Sequence, residues 1–237
     1  MLTILVTGAN RGIGLELARQ YAVDDWEVIA TARKPQDSAG LTDLAKTHKG
    51  SFHVQALDVT SDESIQDLAE TLDGRAIDLL VNNAGIYPRV GTHVGELDYD
   101  SWRHTLETNL FGVLRVTEAL LENVAHSERK QIVAISSAMA SMRGAQGGSV
   151  AQSGTSYQYR TSKAALNMAI LILSKELAPR GISVVLIAPG WVKTEMGGTG
   201  AVITPQASVA GIKKLLDAGS MDNSGKFLSY DGSICPW

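Results

Sequence analysis

Leu2 to Val6 is a short, almost wholly apolar run, and the glycine-bearing stretch Thr7-Gly8-Ala9-Asn10-Arg11-Gly12-Ile13-Gly14 follows it at once. A strand that is apolar on both faces belongs inside a sheet covered on both sides, which is the signature of parallel strands with helices packed over them. Leu15, Leu17, Ala18 and Tyr21 then mark a helix. Strand, glycine turn and helix together place backbone N–H groups and a positive helix end where they can meet a phosphate. The glycines fall as G-x-x-x-G-x-G, which departs from G-x-G-x-x-G, and no Gly-Lys-Ser/Thr is present, so a Walker loop is excluded. The other reading of the stretch is a tight turn without a ligand.

The same alternation continues along the chain. Further strands are expected at Glu27–Thr31, Ser51–Leu57, Ile77–Val81, Gln131–Ile135, Ile182–Ala188 and Lys226–Tyr230. Helices are expected at Asp37–His48, after a capping box formed by Thr60 and Glu63, over Asp98–Ala125 with Asn109 and Gly112 as interruptions, from Tyr159 to Pro179, and over Pro205–Ala218. Tyr87–Leu97, Met139–Ser156 and Trp191–Thr204 read as loops. Strands alternating with helices predict an α/β fold of the Rossmann-like, doubly wound kind, with a seven-stranded parallel sheet flanked by helices. No linker, repeat or low-complexity segment divides the chain, so residues 1–237 are expected to form one domain.

Composition narrows the partners. A net charge of −4 without a basic tract argues against nucleic acid and against anionic membrane surfaces. The chain lacks a run of ~18 apolar residues, and its N-terminus lacks a charged leader, so neither a transmembrane helix nor a signal peptide is expected. A single cysteine, Cys235, fits a reducing, cytoplasmic setting. His48, His53, His93, His104 and His126 are scattered without ligand spacing, and no metal site is expected.

Chemistry concentrates in Tyr157-Gln158-Tyr159-Arg160-Thr161-Ser162-Lys163. Residues four apart on a helix share a face, so Tyr159 and Lys163 project together, whereas Tyr157 meets only Thr161. Free tyrosine titrates near pH ~10, and a neighbouring cation favours the phenolate. The pair is therefore expected to exchange a proton nearer neutral pH, as carbonyl–alcohol interconversion requires. The other reading is a solvated helix end. A second clue lies at the close of the second strand. The slot that holds an acid in NAD-specific folds is Ala32 here, followed by Arg33 and Lys34, with Asp37 only beyond Pro35. Arg11, from the glycine turn, is expected to converge on the same corner and, with Arg33, to suit a 2′-phosphate; otherwise both are solvated surface charges.

Thr7-Gly8…Gly12-Ile13-Gly14, Asn82-Asn83-Ala84-Gly85, Ser137, Tyr159…Lys163 and Pro189-Gly190…Thr194 occur in one order along the chain. Together they resemble the classical short-chain dehydrogenase/reductase family over the whole length. The Tyr159-Arg160-Thr161-Ser162-Lys163-Ala164-Ala165-Leu166-Asn167 run and the Tyr230-Asp231-Gly232…Pro236-Trp237 tail further resemble its C-factor/sniffer-like carbonyl reductases. The resemblance implies an NADP(H)-dependent carbonyl reductase acting on a small-molecule carbonyl or alcohol, the alternative being an NADP-binding signalling protein of the C-factor type. It implies that Tyr159 protonates the carbonyl oxygen as hydride arrives. Lys163 would depress the tyrosine pKa and hold the nicotinamide ribose, Ser137 would donate to the carbonyl oxygen, and Asn109 would hold a relaying water. Ser136 is the alternative to Ser137, and a solvent-facing amide is the alternative for Asn109.

For the coenzyme, the resemblance implies Gly8, Asn10, Arg11, Gly12, Ile13, Gly14 and Arg33 at the phosphates. Asp58 and the Val59 N–H would lie at the adenine, where helix capping is the other role open to Asp58. Asn83, Ala84 and Gly85 would shape the ribose turn, with Tyr159 and Lys163 further in, and Pro189, Gly190, Val192 and Thr194 would hold the carboxamide. Val90–Leu97, Met139–Ser156 and Trp191–Thr204 would line the substrate pocket, with Trp191 and Met196 as a lid. Ala164 to Leu173 is apolar at nearly every position except Asn167, so more than its sheet-facing side needs cover. That helix and the one around Leu106–Leu121 are expected to pair with symmetry mates in a homodimer or homotetramer, unless the tail from Ile234 covers them.

Overall fold

The structure is a computed structural model and describes residues 1–89, 93–149, 155–219 and 221–237. Seven strands form one sheet: β1 (Thr3–Val6), β2 (Glu27–Ala32), β3 (Phe52–Ala56), β4 (Leu79–Asn82), β5 (Gln131–Ile135), β6 (Ser183–Ala188) and β7 (Phe227–Ser229). Their order is β3-β2-β1-β4-β5-β6-β7 and every pairing is parallel. Winding proceeds outward one way from β1 and then the other way from β4. Val6 lies level with Ala30 on one side and Val81 on the other. The reversal opens a crevice beyond the carboxyl ends of β1 and β4, where doubly wound sheets bind ligands.

Helices α1 (Gly12–Val23), α2 (Ala39–Thr47) and α8 (Pro205–Asp217) cover one face of the sheet. Leu17, Tyr21, Leu41 and Ile212 pack there against Ile4, Val6, Val28 and Ala30. Helices α3 (Asp62–Leu72), α5 (Gly112–Ala119), α6 (Leu121–Ala125) and α7 (Tyr157–Leu177) cover the other. Ile65, Leu68, Val113, Val116, Leu166 and Ile170 meet Leu5, Ile29, Leu80 and Ile132 on that side. Alternate residues of each strand thus feed opposite cores, which is why the strands are apolar throughout rather than at every second position.

Several boundaries differ from expectation for local reasons. Ser61, not Thr60, caps α3, accepting from Ser64 N at 3.2 Å. Thr60 is drawn back instead onto Asp58 Oδ1, to which its N–H and hydroxyl donate at 2.9 and 2.7 Å. The continuous helix expected over Asp98–Ala125 is broken. Asp98 caps α4 (Tyr99–Leu106), a π-helical turn spans Glu107–Phe111, and Leu120 at φ −105°, ψ 10° separates α5 from α6. Such wide turns commonly mark functional sites. Gly112 follows it because a Cβ there would stand 2.7 Å from Val59 O, closer than any side chain permits. β4 begins after Ile77 and Asp78. Asp78 is buried and accepts from Thr3 N at 2.8 Å and from Glu128 N and Arg129 N at 3.2 Å each.

The stretch expected as a loop from Met139 contains short helical turns at Ala138–Ala140, Met142–Gly144 and Ala145–Ser149, while residues 150–154 lie outside the described residues. Val90, Gly91 and Thr92, expected to line the pocket, lie outside them too. The loop from Trp191 to Thr204 is pinned by a bridge between Val192 and Ile203. The tail doubles back on β7, with Ile234 bridging Leu228 and the Trp237 ring 5.7 Å from Phe227. Met168 and Ile172 of α7 stay exposed. No helix of the described residues is long and apolar enough to cross a membrane.

Candidate active site

The turns after β1 and β4 form the floor of the crevice, laced by one hydroxyl and one amide. Thr7 Oγ1 accepts from Asn83 N and Ala84 N at 3.0 Å each, and Asn83 Nδ2 donates to Thr7 O at 2.9 Å and Gly8 O at 3.1 Å. Gly8 takes φ 64°, and a Cβ on it would lie 2.9 Å from Ala84 Cα. A Cβ on Gly14 would lie 2.5 Å from both Asn83 Nδ2 and Gly8 O. Thr7 was not among the expected site residues; its place directly after β1 was the available signal.

Above this floor stands the N-terminus of α1, with Arg11 as its cap residue and no side chain capping it. Ser38 caps α2 and also donates to Asn10 O at 3.0 Å, fastening the glycine turn to the neighbouring helix. Arg33 and Lys34 are exposed at the end of β2. Arg11 does not converge on them. It pairs with Glu195 of the loop after β6, because that loop closes over the glycine turn closely enough for a Cβ on Gly12 to reach within 3.2 Å of Thr194 Cγ2. Asp58 is lowered from its ordinary value: desolvation pushes it up, and the two bonds from Thr60 with the Arg33 charge nearby outweigh that.

Beyond β5 the paired serines diverge. Ser136 Oγ donates to Asn167 Oδ1 at 2.5 Å in the interior, whereas Ser137 hydrogen-bonds the Tyr159 hydroxyl and accepts from Met139 N at 3.2 Å. Tyr157 lies apart, its ring 6.0 Å from Trp102. Asn109 sits in the π-helical turn and is wholly buried, which removes the solvent-facing alternative. Its Nδ2 donates to Ile86 O at 2.9 Å and to Ser162 Oγ at 3.0 Å, and its Oδ1 accepts from Ile86 N at 2.8 Å. Ser162 Oγ in turn donates to Tyr159 O at 2.8 Å. Lys163 and Asn109 meet over Gly85, where a Cβ would stand 3.2 Å from Asn109 Oδ1 and 3.6 Å from Lys163 Nζ.

The electrostatics correct the expectation for the pair. Lys163 Nζ donates to Ile135 O at 2.8 Å, so its ammonium is held on the end of β5. Tyr159 is pushed up to about 12 by burial, with the Ser137 bond acting downward and the neighbouring Tyr87 acting upward. Burial lowers Lys163 to about 8. The phenol is therefore a neutral acid at physiological pH, and the lysine is the group that titrates near it. Tyr87, which sequence reasoning placed only at the start of a loop, stands edge-on to Tyr159 at 4.5 Å between ring centroids.

The loop after β6 closes the crevice. Gly190 takes φ 81°, and a Cβ there would lie 2.5 Å from Ile203 Cδ1. Pro189 O accepts from Ser208 Oγ at 2.6 Å, Val192 is buried, and Thr194 Oγ1 accepts from Gly197 N at 3.1 Å. Trp191 and Met196 are exposed on this loop, and Trp191 Nε1 donates to Gly197 O at 2.9 Å. Among the described residues no grouping of His, Cys, Asp or Glu could hold a metal ion.

Comparison with known proteins gives concordant results. The sequence pattern of the family described as short chain dehydrogenase matches residues 2–201. C-signal of Myxococcus xanthus is 37% identical over 161 residues, 68% of this chain and 93% of that protein. The crystal structure of an NADPH-bound carbonyl reductase from chicken fatty liver superposes with a TM-score of 0.90 at 34% identity, covering 99% of this chain and 98% of the other. The carbonyl reductase Sniffer of D. melanogaster gives 0.89 at 30% identity over the full length of both.

The altered titration is directly observable. In the ligand-free protein, the 13Cε resonance of Lys163, assigned by its loss in Lys163→Met, should titrate with a midpoint of about 8. A midpoint at or above the ordinary lysine value would show that the ammonium is not desolvated as described.

Proposed function

The chain belongs to the short-chain dehydrogenase family, and from that premise we propose that it is an NADPH-dependent carbonyl reductase, interconverting a ketone or aldehyde and its alcohol. The observation that carries this reading is the Ser137–Tyr159 hydroxyl pair set above the buried Lys163. Tyr159, neutral at physiological pH, is in the form that can give a proton to a carbonyl oxygen. Ser137 donates to the same oxygen, so two donors converge where negative charge develops, and they are in place before the reaction begins. Once Tyr159 has given its proton, the Lys163 charge one helical turn away stabilises the phenolate. Asn109 acts on this arrangement by holding Ile86 through two bonds and Tyr159 O through Ser162.

The crevice suits NADP(H). The uncapped N-terminus of α1, with Gly12, Ile13 and Gly14, offers N–H groups to a pyrophosphate, and Gly8 and Asn10 of the preceding turn would lie beside it. Arg33 at the end of β2, where no acid stands, is the residue to read a 2′-phosphate; Arg11 joins it only by leaving Glu195. Asp58 and Val59 would serve the adenine, and Asn83, Ala84 and Gly85 the ribose turn. Pro189, Gly190, Val192 and Thr194 would serve the carboxamide, and Lys163 the nicotinamide ribose. Bound there, NADPH supplies the hydride. The chicken carbonyl reductase, crystallised with NADPH, supports the assignment.

A second reading is favoured by the likeness to C-signal: an NADP-binding signalling protein with little or no catalytic role. The enzyme reading places the protein in the cytoplasm, where Cys235 stays reduced. It also pairs α7 and the α4–α5 segment with a second copy, because Met168, Ile172 and Phe111 are 56%, 58% and 44% exposed. Sedimentation at micromolar protein should therefore give a dimer or tetramer, and a monomer would refute the pairing.

Tyr159→Phe should reduce turnover of any accepted carbonyl to below roughly a tenth, in keeping with the ~10²–10⁴-fold worth of a positioned acid, while NADPH affinity changes little. Retained turnover would remove Tyr159 from its role. Wild-type protein that binds NADPH yet reduces no carbonyl in a broad panel would favour the signalling reading.

Coenzyme choice gives an independent check. Ala32→Asp with Arg33→Ala should lower the ratio of kcat/KM for NADPH over NADH by ~10- to 100-fold, the equivalent of one charged hydrogen bond. An unchanged ratio would show that these residues do not read the phosphate.

A further inference from the structure

The stretches of sequence that carry Tyr87, Ser137, Tyr159 and the loop after β6 are one-sided in charge. Residues 129–175 contain no Asp or Glu, residues 83–95 carry Arg89 as their single formal charge, and the acid of residues 188–204 is Glu195, already paired with Arg11. This is in a chain whose net charge is −4.

Two guanidiniums are fixed beside the reactive pair. Arg160 is half-buried, and its Nη1 donates at 3.1 Å to the carbonyl of Met139, two residues beyond Ser137. The Tyr87 phenol is near enough to bear on its charge, and burial has lowered its pKa. Arg89 lies over the Tyr87 ring at 5.7 Å, and its Nη2 donates at 2.9 Å to the carbonyl of Met196 in the closing loop. Tyr87 is in turn the ring that meets Tyr159 edge-on. Tyr87 therefore forms a wall with the proton donor on one side and cations anchored around it. Each guanidinium has a carbonyl oxygen among its partners, which fixes it without cancelling its formal charge. Arg160 is held where water is partly excluded, which costs a cation free energy that an anion brought into the same place offsets, while Arg89 is exposed and brings its charge from the solvent side.

The geometry points to a substrate that carries a carboxylate in addition to its carbonyl, with Arg160 and Arg89 reading that carboxylate beside Tyr87. The inference rests on the carbonyl reductase reading of the site and adds the chemical class of what enters it. A purely structural role for the arginines, stapling the Ala138–Ala140 turn and the Met196 loop, would serve charged and neutral substrates alike.

Matched substrates separate the two. With NADPH at pH 7, 3- and 4-carboxybenzaldehyde would be compared with their methyl esters, at low salt and in 0.5 M KCl. The acids should be preferred in kcat/KM by tenfold or more, mainly through KM, and the preference should shrink in salt. Arg160→Gln and Arg89→Gln should each lower the acid-to-ester ratio by roughly tenfold, the scale of a charged hydrogen bond. Esters reduced as well as the acids, or variants that slow both equally and leave the ratio unchanged, would overturn the inference while leaving the carbonyl reductase reading intact. No reduction of any of the four aldehydes would overturn the inference, and the reading beneath it falls with it only when the broad carbonyl panel is not reduced either.

Discussion

The close approach of the turn after β1 to the turn after β4 is the contact on which the rest of the site depends. Thr7 and Asn83 hold the two turns together through four hydrogen bonds, and Gly8 and Gly14 lack the Cβ atoms that would force them apart. A parallel sheet that reverses its winding between these strands leaves a crevice there, but reversal alone does not set its floor. The lacing does, since it fixes where α1 begins and where the backbone through Ala84 and Gly85 runs. Asn109 and Lys163 then converge on that backbone from two different helices.

The π-helical turn at Glu107–Phe111 answers to the same floor. A regular helix from Asp98 would carry Asn109 past Ile86 in an orientation set only by its register. The wide turn leaves the amide wholly buried, satisfying both its own groups and the backbone of Ile86, and passes the connection on through Ser162 to Tyr159. A buried amide with no partners would be costly, and one fully engaged stiffens its surroundings. Gly112 extends the argument to the other side of the helix, where the chain runs against Val59 O.

Burial sets the proton inventory more strongly than the spacing of Tyr159 and Lys163 does. The four-residue offset puts both side chains on one helical face. Yet the ammonium is engaged by the Ile135 carbonyl, and desolvation drives the two groups apart, the phenol up and the lysine down. Both shifts favour the neutral form, as removal from water requires. The same logic applies to Arg160, half-buried near Tyr87, whose pKa burial also lowers.

The sequence by itself determined the α/β class, the parallel sheet of seven strands and the positions of Gly8, Asn83, Ser137, Tyr159 and Lys163 along it. These follow from local signals: runs apolar on both faces, glycines at strand ends, and a fixed helical offset. It did not determine that Ser136 turns to Asn167 while Ser137 turns to Tyr159, because adjacent residues at a strand end differ only in the face they present. Nor did it reveal that Arg11 would pair with Glu195 rather than approach Arg33, that Thr60 would fold back on Asp58, or that Tyr87 would stand against Tyr159. Each of these joins residues through the closing of a loop or the packing of one turn on another, and no period in the sequence encodes such contacts. The direction of the Tyr159 shift belongs with them, since it is decided by how much water the assembled fold excludes.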